Sequence, residues 1–274
     1  MKYRNKEGRI LKAGVSTACL YPRLLEESLY DLAVNGVDCV EIFINTDCEL
    51  SKRFIGEMKS TLDRFEVSVA SLHPYTCGLE PIMFFSPYER RVGDMLDYYK
   101  RYFEAMQQLN AQYFVLHGCK GFRLDNNEFY FERFKRIVEA GKEFGITVCQ
   151  ENVHLYVSGN LKFLKEMSNA LGDDAAFVLD TKQCVRCGEN PFDYVKAIGN
   201  KVKHVHLSDS SEKGDCLLMG RGRFDYRRFL AQLKEKGFDG AVMLELYRSN
   251  FNSISDLISS YNIIENAISR IDGR

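Results

Sequence analysis

Short apolar runs and longer segments of helical spacing alternate eight times along the chain. Runs rich in Val, Ile, Leu and Phe lie at 11–17, 37–43, 67–73, 113–117, 146–151, 176–180, 202–207 and 241–246. Between them, LLEESLYDLAVNG (24–36) and FERFKRIVEAGKEFG (131–145) place apolar residues three and four apart and close on glycine, as amphipathic helices do. Asn35-Gly36, Phe144-Gly145 and Lys236-Gly237 each mark a helix end just before a strand. Strand–helix alternation predicts a parallel sheet, and eight such units in 274 residues predict a closed (β/α)8 barrel. An open doubly-wound sheet is the alternative. Against it, the first strand reads AGVSTACLYP and lacks G-x-G-x-x-G. No Pro- or Ser-rich linker interrupts the pattern, so residues 1–274 are expected to form one α/β domain, a single TIM barrel.

Composition narrows the function. The formal net charge is −1, whereas a surface built to grip nucleic acid shows a strong basic excess. The opening MKYRNKEGRILKAG is too polar for a signal-peptide core. No apolar run approaches the roughly 18–20 residues that span a bilayer. A cytoplasmic protein with no membrane or nucleic-acid partner is expected. Nine scattered cysteines, an odd number, read as free thiols in a reducing compartment.

Barrel enzymes work at the C-terminal ends of their strands, so the residue that closes each strand matters most. Strand three closes SLHPY with His73, strand four FVLHG with His117, strand five VCQEN with Glu151 and strand six FVLDT with Asp180. Strand seven holds HVHLSD, with His206 and Asp209, and strand eight closes VMLELY with Glu245. One such residue is ordinarily a loop residue or a helix cap. Six neighbouring strands ending so, in register, are not explained that way. Carboxylates crowded at one mouth repel each other, and a divalent cation removes the conflict. Two Glu, one Asp and one His suit Mn²⁺, Mg²⁺, Co²⁺ or Zn²⁺. One divalent metal ion is therefore expected on Glu151, Asp180, His206 and Glu245. His73 and His117 either hold a second ion with Glu151 or hydrogen-bond substrate oxygens.

The stretch HVHLSDS carries two histidines two residues apart. Residues so spaced share a face of a strand. Val205 and Leu207 should pack on the outer helices, which turns both histidines inward. His206, nearer the mouth, is the expected ligand; His204 is expected one layer deeper, as a hydrogen-bonded core residue.

Together SLHPY, VLHG, QEN, VLDTKQCVRCGENP, KHVHLSDS, MGRGRFDY and MLELY cover nearly the whole chain. In order and spacing they resemble the xylose-isomerase-like TIM-barrel superfamily of sugar and sugar-phosphate isomerases and epimerases, which also contains endonuclease IV. The resemblance implies that Glu151, Asp180, His206 and Glu245 hold one metal, and that Glu151 and Glu245 are catalytic, exchanging a proton beside a carbonyl. It also places His73 and His117 where endonuclease IV holds a second zinc. Two departures matter. Many relatives have D-x-x-H after strand six, and here the fourth residue is Gln183. Endonuclease IV has Asp-x-His beyond strand seven, and Asp215-Cys216-Leu217 lacks that histidine. Both losses favour the substrate role for His73 and His117.

The expected activity is a divalent-metal-dependent isomerase or epimerase of a keto-sugar, sugar phosphate or related polyol. Proton removal beside a carbonyl gives an enediolate whose charge a cation stabilises, while carboxylates carry the proton. The alternatives are an endonuclease IV-like phosphodiesterase and a non-catalytic sugar-binding barrel. The partner is a small-molecule sugar; a homo-oligomer is compatible with the sequence. Lys182, Gln183, Arg221 and Arg248 join His73 and His117 as substrate-binding candidates, with Arg221 foremost for a charged substrate. Phe84, Phe85 and Tyr88 form either a wall over a sugar ring or the core of a long loop. Glu41 on strand two is expected at the same mouth. Cys184-Val185-Arg186-Cys187 lacks a partner pair and reads as structural.

Overall fold

The structure, a computed structural model, describes residues 11–120, 126–212 and 214–273; the polar stretch 1–10 lies outside them. Each apolar run is a strand buried on both faces, as parallel sheets require. They are β1 (Lys12–Ser16), β2 (Cys39–Ile44), β3 (Ser68–Pro74), β4 (Tyr113–Leu116), β5 (Thr147–Glu151), β6 (Phe177–Asp180) and β7 (Val202–Leu207). A hairpin not foreseen in the sequence follows, β8 (Asp209–Ser211) and β9 (Gly214–Leu217), and then the eighth barrel strand, β10 (Ala241–Leu244). The barrel closes in the order β1-β10-β7-β6-β5-β4-β3-β2, with every barrel pair parallel.

The helices are α1 (Leu25–Val34), α2 (Lys52–Phe65), α3 (Glu80–Met83), α4 (Glu89–Leu109), α5 (Asn127–Glu143), α6 (Leu161–Leu171), α7 (Thr181–Arg186), α8 (Pro191–Ile198), α9 (Tyr226–Glu235) and α10 (Ile254–Ile271). Helix α5 starts four residues before the periodic run, because the Asn126 side chain accepts the Phe129 N–H and caps it there. Among the described residues no helix is long and apolar enough to cross a membrane.

The strands' alternation builds the interior. Val205 and Leu207 join the outer core with the helices, as expected. Inside the barrel, Val115, Cys149 and Val178 form one small apolar cluster, and Cys39 and Met243 belong to another. Two residues further along each strand stand His117, Glu151, Asp180, Glu41 and Glu245. An apolar layer thus lies beneath a polar one, and period-two geometry sets the step between them.

Candidate metal centre

One donor atom from each of Glu151, Asp180, His206 and Glu245 lies within 4.8 Å of the others. Three of these residues are buried, with relative exposures of 2% for Glu151 and 1% for Asp180 and His206. Buried polar atoms ordinarily have hydrogen-bond partners. Here Glu151 Oε2, Asp180 Oδ2 and His206 Nδ1 have none. Two of these atoms have ion-pair neighbours, His117 Nε2 2.9 Å from Glu151 Oε2 and Lys182 Nζ 3.2 Å from Asp180 Oδ2, but three ligand-type atoms without hydrogen bonds, converging in one buried place, fit a divalent cation. The four named residues would hold it.

Local structure aims each ligand. The Asp180 Oδ1 atom accepts the Gln183 N–H at 3.1 Å and caps α7, which leaves Oδ2 for the site. The side chain of Asn152 clamps the same residue from both sides: Asn152 Nδ2 donates to the Asp180 carbonyl at 3.0 Å, and the Asp180 N–H donates to Asn152 Oδ1 at 2.7 Å. Gln150 does similar work on the other flank. Its Nε2 donates to the carbonyls of Leu116 at 3.1 Å and His117 at 2.9 Å. Both positioning residues went unread in the sequence, although the polar triplet Gln150-Glu151-Asn152, buried at a strand end, is the signal.

His206 is held from below. Its Nε2 lies 3.0 Å from Glu41 Oε2, so Nε2 keeps a proton and Nδ1, once deprotonated, would turn its lone pair to the site, as outer-sphere carboxylates arrange for metal-bound histidines. The Nδ1 atom is 3.5 Å from both Glu151 Oε1 and Glu245 Oε2. Glu41 was expected at the mouth. Instead it is fully buried under the site, where it also receives hydrogen bonds from Ser16 at 3.0 Å and Ser71 at 2.8 Å. His204 lies one layer down as expected, with its Nε2 3.0 Å from the same Glu41 oxygen.

The electrostatics are those of a site short of positive charge. Burial pushes the Asp180 carboxyl up to about 7; the charges of Glu151 and Glu245 push the same way, against Lys182. Burial would also raise Glu41, but the His206 charge and the hydrogen bonds of both histidines hold it well below the usual carboxylate range. Burial acts to lower His206, yet Glu245 and Glu41 raise it well above an ordinary histidine.

Beside this group, His73 Nδ1 donates to the Pro74 carbonyl at 3.1 Å, which frees Nε2. His117 Nε2 stands 2.9 Å from it and 2.9 Å from Glu151 Oε2. His73, His117 and Glu151 thus form a second cluster of ligand type. Burial opposes a charge on His117, but the Glu151 carboxylate outweighs it.

A cavity of about 500 Å³ opens over the site. Of the four candidate ligand residues, Glu151 and Glu245 line it; His73, His117, Lys182 and Gln183 line it too. Lys182 lies in the first turn of α7, buried, with Nζ 2.8 Å from Glu245 Oε2 and 3.2 Å from Asp180 Oδ2. The Oε1 of Gln183 accepts the His154 N–H at 3.0 Å and ties the loop after β5 to α7. Arg221 and Arg248 are exposed and are not among the cavity's lining residues. The Arg248 side chain donates to the Phe251 carbonyl at 2.8 Å. Phe84 and Phe85 are core residues, the first edge-on to Tyr99 and the second stacked on Tyr130, and Tyr88 lies outside the cavity lining. The aromatic wall is made instead by Tyr21, Phe43, Tyr75 and Tyr247.

Asp209 is no ligand. Its carboxylate accepts the backbone N–H groups of Ser210, Gly220, Gly222 and Phe224 at 2.8–3.0 Å and ties the MGRGRF loop into a knot. A Cβ at Gly222 would collide with that carboxylate and with the Ser210 carbonyl. All nine cysteines, Cys184 and Cys187 among them, are free thiols in the structure.

Known proteins resemble this chain over most of its length. The fructoselysine 3-epimerase of Escherichia coli O157:H7 is 22% identical over 262 residues, which cover 88% of this chain and 92% of that protein. A D-tagatose 3-epimerase-like protein superposes with a TM-score of 0.80 at 22% identity, covering 96% of this chain and 98% of that one. The IOLI protein, solved with a bound zinc atom, superposes with a TM-score of 0.76 at 18% identity, covering 95% of this chain and 99% of that one. The family model for xylose isomerase-like TIM barrels matches residues 29–267, and the chain belongs to that family.

Proposed function

We propose that the protein is a divalent-metal-dependent isomerase or epimerase of a keto-sugar or related polyol, acting as a single barrel domain. Glu151, Asp180, His206 and Glu245 would hold the ion. Bound there, a divalent cation supplies Lewis-acid polarisation of a carbonyl oxygen. The proposal rests on one observation: of the four ligand residues, only Glu151 and Glu245 line the cavity, while Asp180 and His206 stand behind them. A carboxylate facing the substrate is placed to take the proton from the carbon beside the carbonyl, and a second carboxylate can return it to the enediolate. The two residues sit on β5 and just past β10, three places apart around the barrel order. His73 and His117 present ring nitrogens to the same cavity and are assigned to hydrogen-bond substrate oxygens. Lys182 is the one lysine or arginine among the described residues that line the cavity, and two carboxylates already pair with it. That lining favours an uncharged sugar over a phosphate ester. The relatives support the chemistry: one is a fructoselysine 3-epimerase and another a D-tagatose 3-epimerase-like protein.

Solvent exchange tests this reading. In deuterium oxide, with Mn²⁺ and a panel of keto-sugars, the protein should introduce deuterium beside the carbonyl. Glu151→Gln and Glu245→Gln should each lower exchange by about 10³-fold or more while the fold persists. Turnover of any keto-sugar without deuterium incorporation refutes proton exchange with solvent.

A further inference from the structure

A lysine ammonium is rarely buried unless paired. Lys182 is 4% exposed, and its partners are two of the four residues assigned to the metal. The Tyr247 ring covers it with its centroid 4.9 Å from Nζ. Its backbone position is fixed as well, because Asp180 caps the helix that carries it. The ammonium therefore lies beside Asp180 Oδ2, an atom with no hydrogen-bond partner that the proposed ion would use. No rotation of a loop is needed to bring it there.

Two like charges cannot share these carboxylates without cost. At a few ångströms in a buried site their repulsion is screened far less than in water. A divalent ion must therefore either push the ammonium off Glu245 or bind beside it. Either route weakens the ion's hold. Conversely, an empty cluster of carboxylates would repel itself, and the ammonium relieves that repulsion.

We propose that Lys182 is a tethered counter-cation of the metal site: it stabilises Asp180 and Glu245 in the ion-free protein and lowers affinity for the divalent ion. This rests on the metal reading above. It makes Lys182 a positioning residue that acts through the ligands, and it takes the residue out of the group that binds substrate charge. The site becomes one that loads and releases its ion reversibly.

Titration calorimetry of Mn²⁺ into chelator-stripped protein tests it, with thermal melting of the same samples. Lys182→Met keeps the length of the stem and its packing under Tyr247 but removes the charge. It should bind Mn²⁺ about 10- to 100-fold more tightly than wild type, the range typical of outer-sphere changes. The stripped variant should melt below stripped wild type, and the gap between stripped and loaded forms should widen. Lys182→Arg, which keeps the charge, should stay within a few-fold of wild type. Lys182→Gln replaces Lys182→Met should the latter fail to fold. Wild-type binding with an equal or weaker Lys182→Met isotherm overturns the counter-cation role and leaves the metal site standing. A wild-type isotherm with no binding removes the metal site itself, and the counter-cation role with it.

Discussion

Glu41→Gln isolates the role of the carboxylate beneath the site. The substitution keeps shape and removes charge. In the wild type, one oxygen of Glu41 receives His206 Nε2–H at 3.0 Å, Ser71 at 2.8 Å and His204 Nε2 at 3.0 Å. Ser16 donates to the other oxygen at 3.0 Å. A Gln can keep its oxygen toward the histidines and donate its NH₂ to Ser16, so the fold should survive. What is lost is the negative charge that holds the His206 proton on Nε2 and makes Nδ1 a better ligand. Outer-sphere changes of this kind cost about 10- to 100-fold in metal affinity, which is about 1.4–2.7 kcal/mol. Calorimetric titration of Mn²⁺ or Zn²⁺ into stripped protein measures it directly, and thermal melting of the stripped samples checks the fold. An affinity within twofold of wild type, at unchanged stability, would refute the argument that Glu41 orients His206.

Two further outcomes follow from groups away from the ligands. Burial pushes the Glu80 carboxyl up to about 7, against the opposing pull of the His117 charge and of hydrogen bonds from Gly118 and Tyr99. A raised folded-state value means its stabilising contribution is complete below pH about 4.5 and is lost as pH rises through about 7, a change on the order of 3 kcal/mol. Melting temperature should fall across that window, and Glu80→Gln should flatten the slope; an equal slope in the variant would count against this origin. Asp209→Ala should destabilise by about 3 kcal/mol or more, because four backbone N–H groups lose their acceptor. Urea unfolding of the variant checks it, and a loss below 1 kcal/mol would mean that water replaces the carboxylate.

The alternation of strand and helix made the barrel legible, because a parallel sheet covered on both faces must be written as apolar runs. The clustering of the four candidate ligands was legible for the same reason: Glu151, Asp180 and His206 close or nearly close their strands, and Glu245 stands one residue past β10. Sequence period gives the face of a strand, so His204 and His206 were both read as inward. It does not give absolute depth. Strand β2 shifts register against β3 between Val40 and Glu41, and this irregularity accompanies a glutamate that lies under His206 rather than at the rim. Charge pairing across strands was equally hidden: nothing near Lys182 in the chain announces Glu245, 63 residues away. The knot around Asp209 was invisible too, since its acceptors and donors are spread over a loop with no regular period.

Gln150 and Asn152 flank Glu151 and bind the main chain of the strands on either side. The ends of β4, β5 and β6 are therefore bolted into one bracket. His117, Glu151 and Asp180 keep their spacing together or lose it together. A substrate must meet that half of the mouth as a fixed gauge. Adaptation to different sugars falls to the opposite half, where Tyr21, Tyr75 and Tyr247 stand on the connections after β1, β3 and β10 and reach the cavity with exposed rings. If the protein acts as proposed, exchanging those three residues should change which sugar is accepted while the spacing of His117, Glu151 and Asp180 stays as it is.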